Sequence, residues 1–239
     1  MSMFEPSLTV VIPAFNEAEN LPSVLPGMLA FAKSACLRCE VLVVDDGSSD
    51  GTAQVLAQQQ ATTPQGLRVI RHPQNQGLTA TLRTGFFAAR TQLVTWIPAD
   101  GQIPLSELQK ILDAYRGEDL LLSTYRHRPD GVVRAVMSKT VRLLVQAGTG
   151  FAERLEGPYL FRCSLLDELH LVSRTSAGSI GLEIAAKAKR LGKRIGSTEI
   201  ECAQRLTGTS KVANLSNIVS YLGEIWRIRQ SMQSMQSMR

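Results

Sequence analysis

A chain of 239 residues is long enough to bury a substantial core, and 44% hydrophobic with 20% charged residues excludes the disordered and collagen-like classes. The net charge of +5 permits an anionic partner such as a nucleotide, a phospholipid surface or nucleic acid, without choosing among them. Four scattered cysteines are too few for the disulfide framework of a small secreted domain.

Leu8-Thr-Val-Val-Ile-Pro13 is a β-branched run closed by proline, the pattern of a strand buried on both faces. A helix is predicted from Glu19 to Ala32, with Pro22 tolerated near its start and Asn16 as its cap. Cys36-Leu-Arg-Cys39 has metal-ligand spacing, but no second pair completes a zinc set, so reduced thiols in a loop are expected. The second strand, Glu40 to Val44, runs into Asp45-Asp-Gly-Ser-Ser-Asp-Gly-Thr52, where Ser48, Ser49 or Asp50 can cap a helix reaching Gln60. A strand from Leu67 to Ile70, the turn Asn75-Gln-Gly77, a helix from Leu78 to Ala89 and a strand from Leu93 to Ile97 continue the alternation. The expected class is α/β, a mostly parallel sheet flanked by helices with right-handed crossovers.

The fourth strand ends in a second acidic turn, Pro98-Ala-Asp-Gly-Gln102. Two acidic strand ends in one α/β pattern point to a shared site at the carboxyl edge of the sheet. A helix from Leu105 to Tyr115 and a strand from Leu120 to Thr124 come next. Arg126 to Gly131 reads as a loop, and the helix after it carries Arg134, Lys139 and Arg142. Gly157 to Phe161 reads as a strand, Gly181 to Leu191 as a helix with Lys187, Lys189 and Arg190 facing solvent, and Arg194 to Cys202 as the last strand. Arg205-Leu-Thr-Gly-Thr-Ser-Lys211 gathers cations and hydroxyls in a loop, a chemistry that grips phosphate.

Leu215, Ile218, Val219, Leu222, Ile225 and Trp226 recur at helical spacing. Core packing is the default for that face, and Arg227 and Arg229 beside Trp226 also suit an anionic membrane surface. The repeat from Ser231 to Arg239 reads as a frayed end or disordered tail, and His72, His127 and His170 as isolated loop or surface residues. The division expected is one α/β domain over residues 1–212 and an amphipathic helix with its tail over 213–239. No N-terminal stretch has the form of a secretion signal, and no apolar run approaches the roughly 18 residues of a bilayer span. A cytoplasmic protein is expected, at most peripheral on the inner face of a membrane.

No Gly-x-x-x-x-Gly-Lys-Ser/Thr and no Gly-x-Gly-x-x-Gly after the first strand is present, which removes the P-loop and dinucleotide readings. Carboxylates at neighbouring strand ends with basic loops downstream suit a nucleoside diphosphate held through a divalent cation. Val11-Ile-Pro-Ala-Phe-Asn-Glu17, Val44-Asp-Asp-Gly-Ser-Ser-Asp-Gly-Thr52, Asn75-Gln-Gly77 and Ala99-Asp-Gly-Gln102, in that order and spacing, resemble the family 2 inverting glycosyltransferases of GT-A fold. Gly157-Pro158 followed by Phe161-Arg162, and Arg205-x-x-Gly208-x-Ser210-Lys211, are similar to the branch acting on dolichyl and other polyprenyl phosphates.

The resemblance implies transfer of a hexose from a GDP-mannose or UDP-glucose type donor to a dolichyl or undecaprenyl phosphate. It places Pro13, Asn16, Glu17, Asp45, Asp46, Asn75, Gly77, Ala99 and Asp100 at the nucleotide sugar, and Asp100 with Gln102 at a Mg2+ or Mn2+ ion. Arg126, Arg134, Ser138, Arg205, Ser210 and Lys211 fall to the acceptor and its phosphate, with the reaction resting on Asp100, Gln102, Arg126 and Arg205. Pro98 stands where the family usually has a first aspartate, so weaker metal affinity is expected. Two alternatives are a family 2 transferase acting on a saccharide or protein hydroxyl, and a non-catalytic nucleotide-sugar binding module. No nucleic-acid partner is expected, and a homo-oligomer is allowed for.

Overall fold

The computed structural model describes residues 7–34, 38–63, 66–126, 142–174, 179–202 and 215–237. Among these, seven strands build one sheet: β1 (Leu8–Ala14), β2 (Cys39–Asp45), β3 (Leu67–Arg71), β4 (Leu93–Trp96), β5 (Leu120–Tyr125), β6 (Leu160–Arg162) and β7 (Ile195–Ile200). Their order is β3-β2-β1-β4-β6-β5-β7. All pairs are parallel except those of β6, which runs antiparallel to both β4 and β5.

Alternation along the strands splits the core in two. Leu42 and Val44 of β2 and Leu120 and Leu122 of β5 face one side, with α3 (Leu78–Ala88), the described part of α5 (142–149), α6 (Leu165–Leu169), α7 (Ser179–Arg190) and α8 (Leu215–Ser237). Val41 and Val43 of β2 and Leu121 of β5 face the other, against α1 (Leu21–Ser34), α2 (Thr52–Thr62) and α4 (Leu105–Ala114). Strand order reverses between β1 and β4, because β1 to β3 step one way and β4 lies on the opposite side of β1. That reversal opens a crevice at the carboxyl ends of β1 and β4, where open α/β sheets bind their ligands.

The predicted strand after Gly157 is present, shortened to Leu160–Arg162, and its direction is decided by what precedes it. The Gly157 amide donates to the Ser123 carbonyl at 3.2 Å, and the Ser123 hydroxyl donates to the Pro158 carbonyl at 2.5 Å. The chain therefore enters β6 from the carboxyl side of β5 and must run back. A Cβ on Gly157 would collide with the Ser123 hydroxyl, so glycine is required at this entry.

Three further expectations change on the same side of the sheet. Lys187, expected in solvent, has no exposed surface; its Nζ lies 2.6 Å from Glu183 Oε1 and donates to the His170 carbonyl and the Ser231 hydroxyl, each at 2.8 Å. The repeat beginning at Ser231 is helical as far as Ser237, with Met232 buried, because Ser231 and Met232 pack onto α7 and the core. On α8 the buried face is Ile225, Ile228 and Met232, while Leu222 and Trp226 are exposed.

Glu183 accepts the amides of Val172 and Ser173 at 2.7 Å each, and Arg83 of α3 donates to the carbonyls of Leu171 and Ser173. The pair thus ties α7, α8 and the 170–173 loop together, with α3 clamped to the same loop. Burial draws the Lys187 ammonium below its ordinary value, opposed by the hydrogen bond and charge of Glu183. Removing one partner of such a pair strands a buried charge. Lys187→Met is expected to cost about 3–5 kcal/mol of unfolding free energy in urea titrations, and adding Glu183→Gln to recover part of that loss.

Candidate active site at the carboxyl edge of the sheet

The crevice is built from four loops, and the first two are laced together. Asp46 donates its amide to the Ala14 carbonyl at 2.8 Å, continuing the β1–β2 register in which Ala14 pairs with Asp45. Asn16 adopts φ 56°; its amide donates to the Ser48 hydroxyl and its Oδ1 accepts the Ser49 amide, both at 2.9 Å. The Glu17 amide donates to Thr52 Oγ1 at 2.9 Å, and Ala18 to Asp50 Oδ2 at 3.2 Å. Asp50 also accepts the Thr52 amide at 2.9 Å, but the cap position of α2 is taken by Gly51 with no side-chain cap, so the expected capping by Ser48, Ser49 or Asp50 is not what the structure shows. These bonds hold its carboxyl below the usual value despite the desolvation that opposes them. Asn16, by contrast, does not cap α1, which begins only at Leu21; its side chain serves the neighbouring loop instead.

The two aspartates that end β2 differ in surroundings. Asp45 is 1% exposed; Oδ1 accepts the Ser48 amide at 2.9 Å, and Arg71 Nε lies 3.3 Å from Oδ2. Oδ2 has no hydrogen bond of good geometry, so the Arg71 contact is electrostatic rather than directional. Asp46 is committed on both oxygens, to the amides of Gln76 and Gly77 at 2.9 and 2.8 Å and to His72 Nδ1 at 2.7 Å. His72 is buried, not a surface residue, because Asp46 on one side and Thr84 of α3 on the other satisfy both ring nitrogens. Gly77, at φ 87°, opens α3, and Asn75 is exposed beside it.

The fourth loop follows β4. The Ile97 amide donates to the Val11 carbonyl at 2.9 Å, after which Pro98 and Ala99 carry the chain to Asp100. Asp100 Oδ1 accepts the Gln102 backbone amide at 3.1 Å across Gly101 at φ 71°, a tight turn. Pro13, half-buried, lies on β1 opposite Val44. Arg126 leaves β5 two strand positions from β4, roughly 10 Å across the sheet, and is paired at 3.4 Å with Glu199, both side chains largely exposed. Arg134, Ser138, Arg205, Ser210 and Lys211 lie outside the described residues, as do His127, Lys139 and Cys36. Burial, with Glu40 beside it, pushes the Cys39 thiol up to about 11.

Arg71, His72, Ser48 and Thr52 belong to this edge and were given no place at the site from the sequence, Ser48 being expected only as a helix cap. Arg71 had a usable signal, since it directly follows the predicted strand from Leu67 to Ile70. Among the described residues no cluster of three or more His, Cys, Asp or Glu forms an all-protein metal cage. Asp100 with Gln102 offers one carboxylate and one amide oxygen. That donor set fits a hard cation that takes most of its ligands from phosphate oxygens and water.

The sheet order and the crevice at its carboxyl edge are those of the GT-A fold. Glucosyl-3-phosphoglycerate synthase from Mycobacterium tuberculosis, crystallised with Mn2+, UDP-glucose and phosphoglyceric acid, superposes with a TM-score of 0.68 at 22% identity, over 92% of this chain and 80% of that one. The chain belongs to glycosyl transferase family 2, whose model matches residues 9–178. Undecaprenyl-phosphate 4-deoxy-4-formamido-L-arabinose transferase of Pseudomonas fluorescens is 32% identical over 146 residues, 61% of this chain and 43% of that protein. Polyprenol monophosphomannose synthase of Mycolicibacterium smegmatis is 29% identical over 235 residues, 92% of this chain and 86% of that protein. The chain spans 43 to 64% of the length of the first undecaprenyl-phosphate transferases it matches.

The left-handed backbone at Asn16 supplies a local test. Asn16→Val is expected to cost about 1–2 kcal/mol in thermal or urea unfolding, because a β-branched side chain is strained there. Asn16→Gly keeps the backbone free and should lose less, chiefly the bond to Ser49.

Proposed function

We propose that this chain transfers a hexose from a nucleotide sugar to a polyprenyl phosphate, with inversion at the anomeric carbon. The observation that carries this reading is the coincidence of the family match with relatives that are named for polyprenyl-phosphate acceptors. The crevice supports it with a nearly unexposed carboxylate oxygen, Asp45 Oδ2, that lacks a directional partner and is suited to accept from a base or ribose. Asn16, Glu17, Pro13 and the Asn75–Gly77 turn surround the nucleoside in this reading, and Ala99 lies under the sugar diphosphate.

Asp100 and Gln102 would hold Mg2+ or Mn2+ together with the diphosphate. When bound, the ion offsets the charge that gathers on the leaving diphosphate. The acceptor phosphate already carries a nucleophilic oxygen anion at neutral pH, so alignment and charge neutralisation suffice without a strong general base. Its oxygen forms the bond to the anomeric carbon as the bond to the diphosphate breaks, and the nucleoside diphosphate departs. Arg126, with Arg134, Ser138, Arg205, Ser210 and Lys211, is assigned to the acceptor phosphate.

The lipid acceptor calls for contact with a membrane. Among the described residues no helix is long and apolar enough to cross one. Trp226 of α8, 62% exposed, with Leu222 and Arg229 beside it, suits shallow insertion into an anionic surface.

A panel of UDP-, GDP- and dTDP-sugars offered with undecaprenyl and dolichyl phosphates should label a lipid phosphate with one donor. Transfer to an oligosaccharide and to no lipid would overturn the acceptor assignment. Asp100→Ala is expected to lower turnover by about 10²–10³-fold. Pro98→Asp, read by calorimetry in the presence of the nucleotide, should tighten Mn2+ binding by on the order of tenfold, since it adds a carboxylate at the metal turn. Trp226→Ser with Leu222→Ser should weaken sedimentation with phosphatidylglycerol vesicles while leaving the fold intact, since neither side chain is in the buried face of α8.

A further inference from the structure

Asp46 is too heavily engaged to serve a ligand directly. It is 2% exposed, and its oxygens take two backbone amides and an imidazole nitrogen. The amides, those of Gln76 and Gly77, lead directly into α3, whose first residue is Leu78. Beyond the imidazole, His72 Nε2 lies 2.9 Å from Thr84 Oγ1, two turns into α3. The His72 amide itself donates to the Asp45 carbonyl at 2.8 Å. Ring and backbone of one residue therefore bridge the end of β2 to the helix that begins after the turn.

We propose that His72 is a positioning residue of the nucleotide pocket. Its Nδ1–H holds the Asp46 carboxylate in the orientation that fixes the Gln76–Gly77 turn beside Asp45. The inference rests on reading the carboxyl edge as the donor site. An ionised carboxylate only accepts, so the ring nitrogen facing it carries the proton, and in the neutral ring Nε2 accepts from the Thr84 hydroxyl.

Without that donor, a carboxylate sealed from solvent has lost one of three partners and has no water to replace it. Rotating it to find another donor breaks the bond to Gln76, which shares Oδ1 with His72. The turn has little slack of its own. Even a Cβ on Gly47 would lie 2.5 Å from the carbonyl carbon of Gln74 and 2.8 Å from the Asn75 nitrogen, so the start of the turn rests directly on the β2–α2 loop. A shift of the turn thus bears on the loop that follows Asp45, through Asp46 and Gly47.

Side-chain geometry allows an atom-by-atom test. Asparagine places its amide nitrogen where His72 Nδ1 stands, whereas glutamine reaches the position of Nε2 and leucine supplies neither donor. UDP and GDP, each with Mn2+, are titrated calorimetrically into the full chain and its His72→Asn, His72→Gln and His72→Leu variants. Amide exchange is followed in parallel at Gln76 and Gly77 and across β1 and β4.

His72→Asn is expected to bind the nucleotide within about threefold of the unmodified chain. His72→Gln and His72→Leu should bind it on the order of tenfold to a hundredfold more weakly, the range for losing a hydrogen bond to a charged group. In those two, exchange at Gln76 and Gly77 should accelerate while β1 and β4 keep their protection. Unchanged affinity and exchange in His72→Leu, loss in His72→Asn equal to that in His72→Leu, or acceleration spread evenly over the sheet would each overturn the proposal. If the unmodified chain binds neither nucleotide, the donor-site reading fails, and the exchange pattern at Gln76 and Gly77 alone decides whether His72 holds the turn.

Discussion

A carboxylate buried to 2% exposure is tolerable only when its charge is met by donors on every side, and Asp46 meets that condition with groups from the turn before α3. The amides it holds belong to Gln76 and Gly77, so a single side chain at the end of β2 sets where α3 begins. Asp45, one residue earlier, is left with an oxygen that has no directional hydrogen bond. Neighbours in sequence thus divide two tasks. One carboxylate is used up in holding the edge of the crevice, and in the proposed function the other is left to the nucleoside.

The packing of α7 and α8 depends on a second buried charge, and the parallel is physical. Glu183 and Lys187 meet at 2.6 Å with no exposed surface, and each also serves the loop between α6 and α7. Such pairs add little net stability over an apolar substitute but penalise any arrangement that separates them. Here both partners lie on α7, so lifting α8 would not part them, but it would take Ser231 from the buried Lys187 ammonium and leave that charge short of an acceptor. The buried pair therefore keeps the C-terminal helix in the core rather than beside it.

The turn after β4 is the weakest part of the candidate site as a metal centre. Pro98 stands where the family resemblance implies a carboxylate, and Asp100 Oδ1 accepts the Gln102 backbone amide. A site with so little protein charge depends on the donor's own phosphates to complete a cation's shell. In the proposed function an ion held mainly by the diphosphate would arrive with it or after it.

Much of this architecture was legible in the chain alone. The β-branched runs at Leu8 to Pro13 and Glu40 to Val44 became β1 and β2 within a residue or so at each end, because strands buried on both faces write their burial directly into local composition. The acidic turns at Asp45 and Asp100 and the glycine turn at Gly77 were equally visible, as turn chemistry is local. What local pattern cannot carry is the identity of a distant partner. The direction of β6 was decided by Ser123, more than 30 residues upstream, and the burial of Lys187 by Glu183 and Ser231. His72 had no signal beyond its own letter, since Asp46 and Thr84 lie 26 and 12 residues away. Composition and period determined the class, the strands and the acidic edge. Only the tertiary structure decided which charged side chains are buried in pairs, because that depends on desolvation and partners that the folded chain alone brings together.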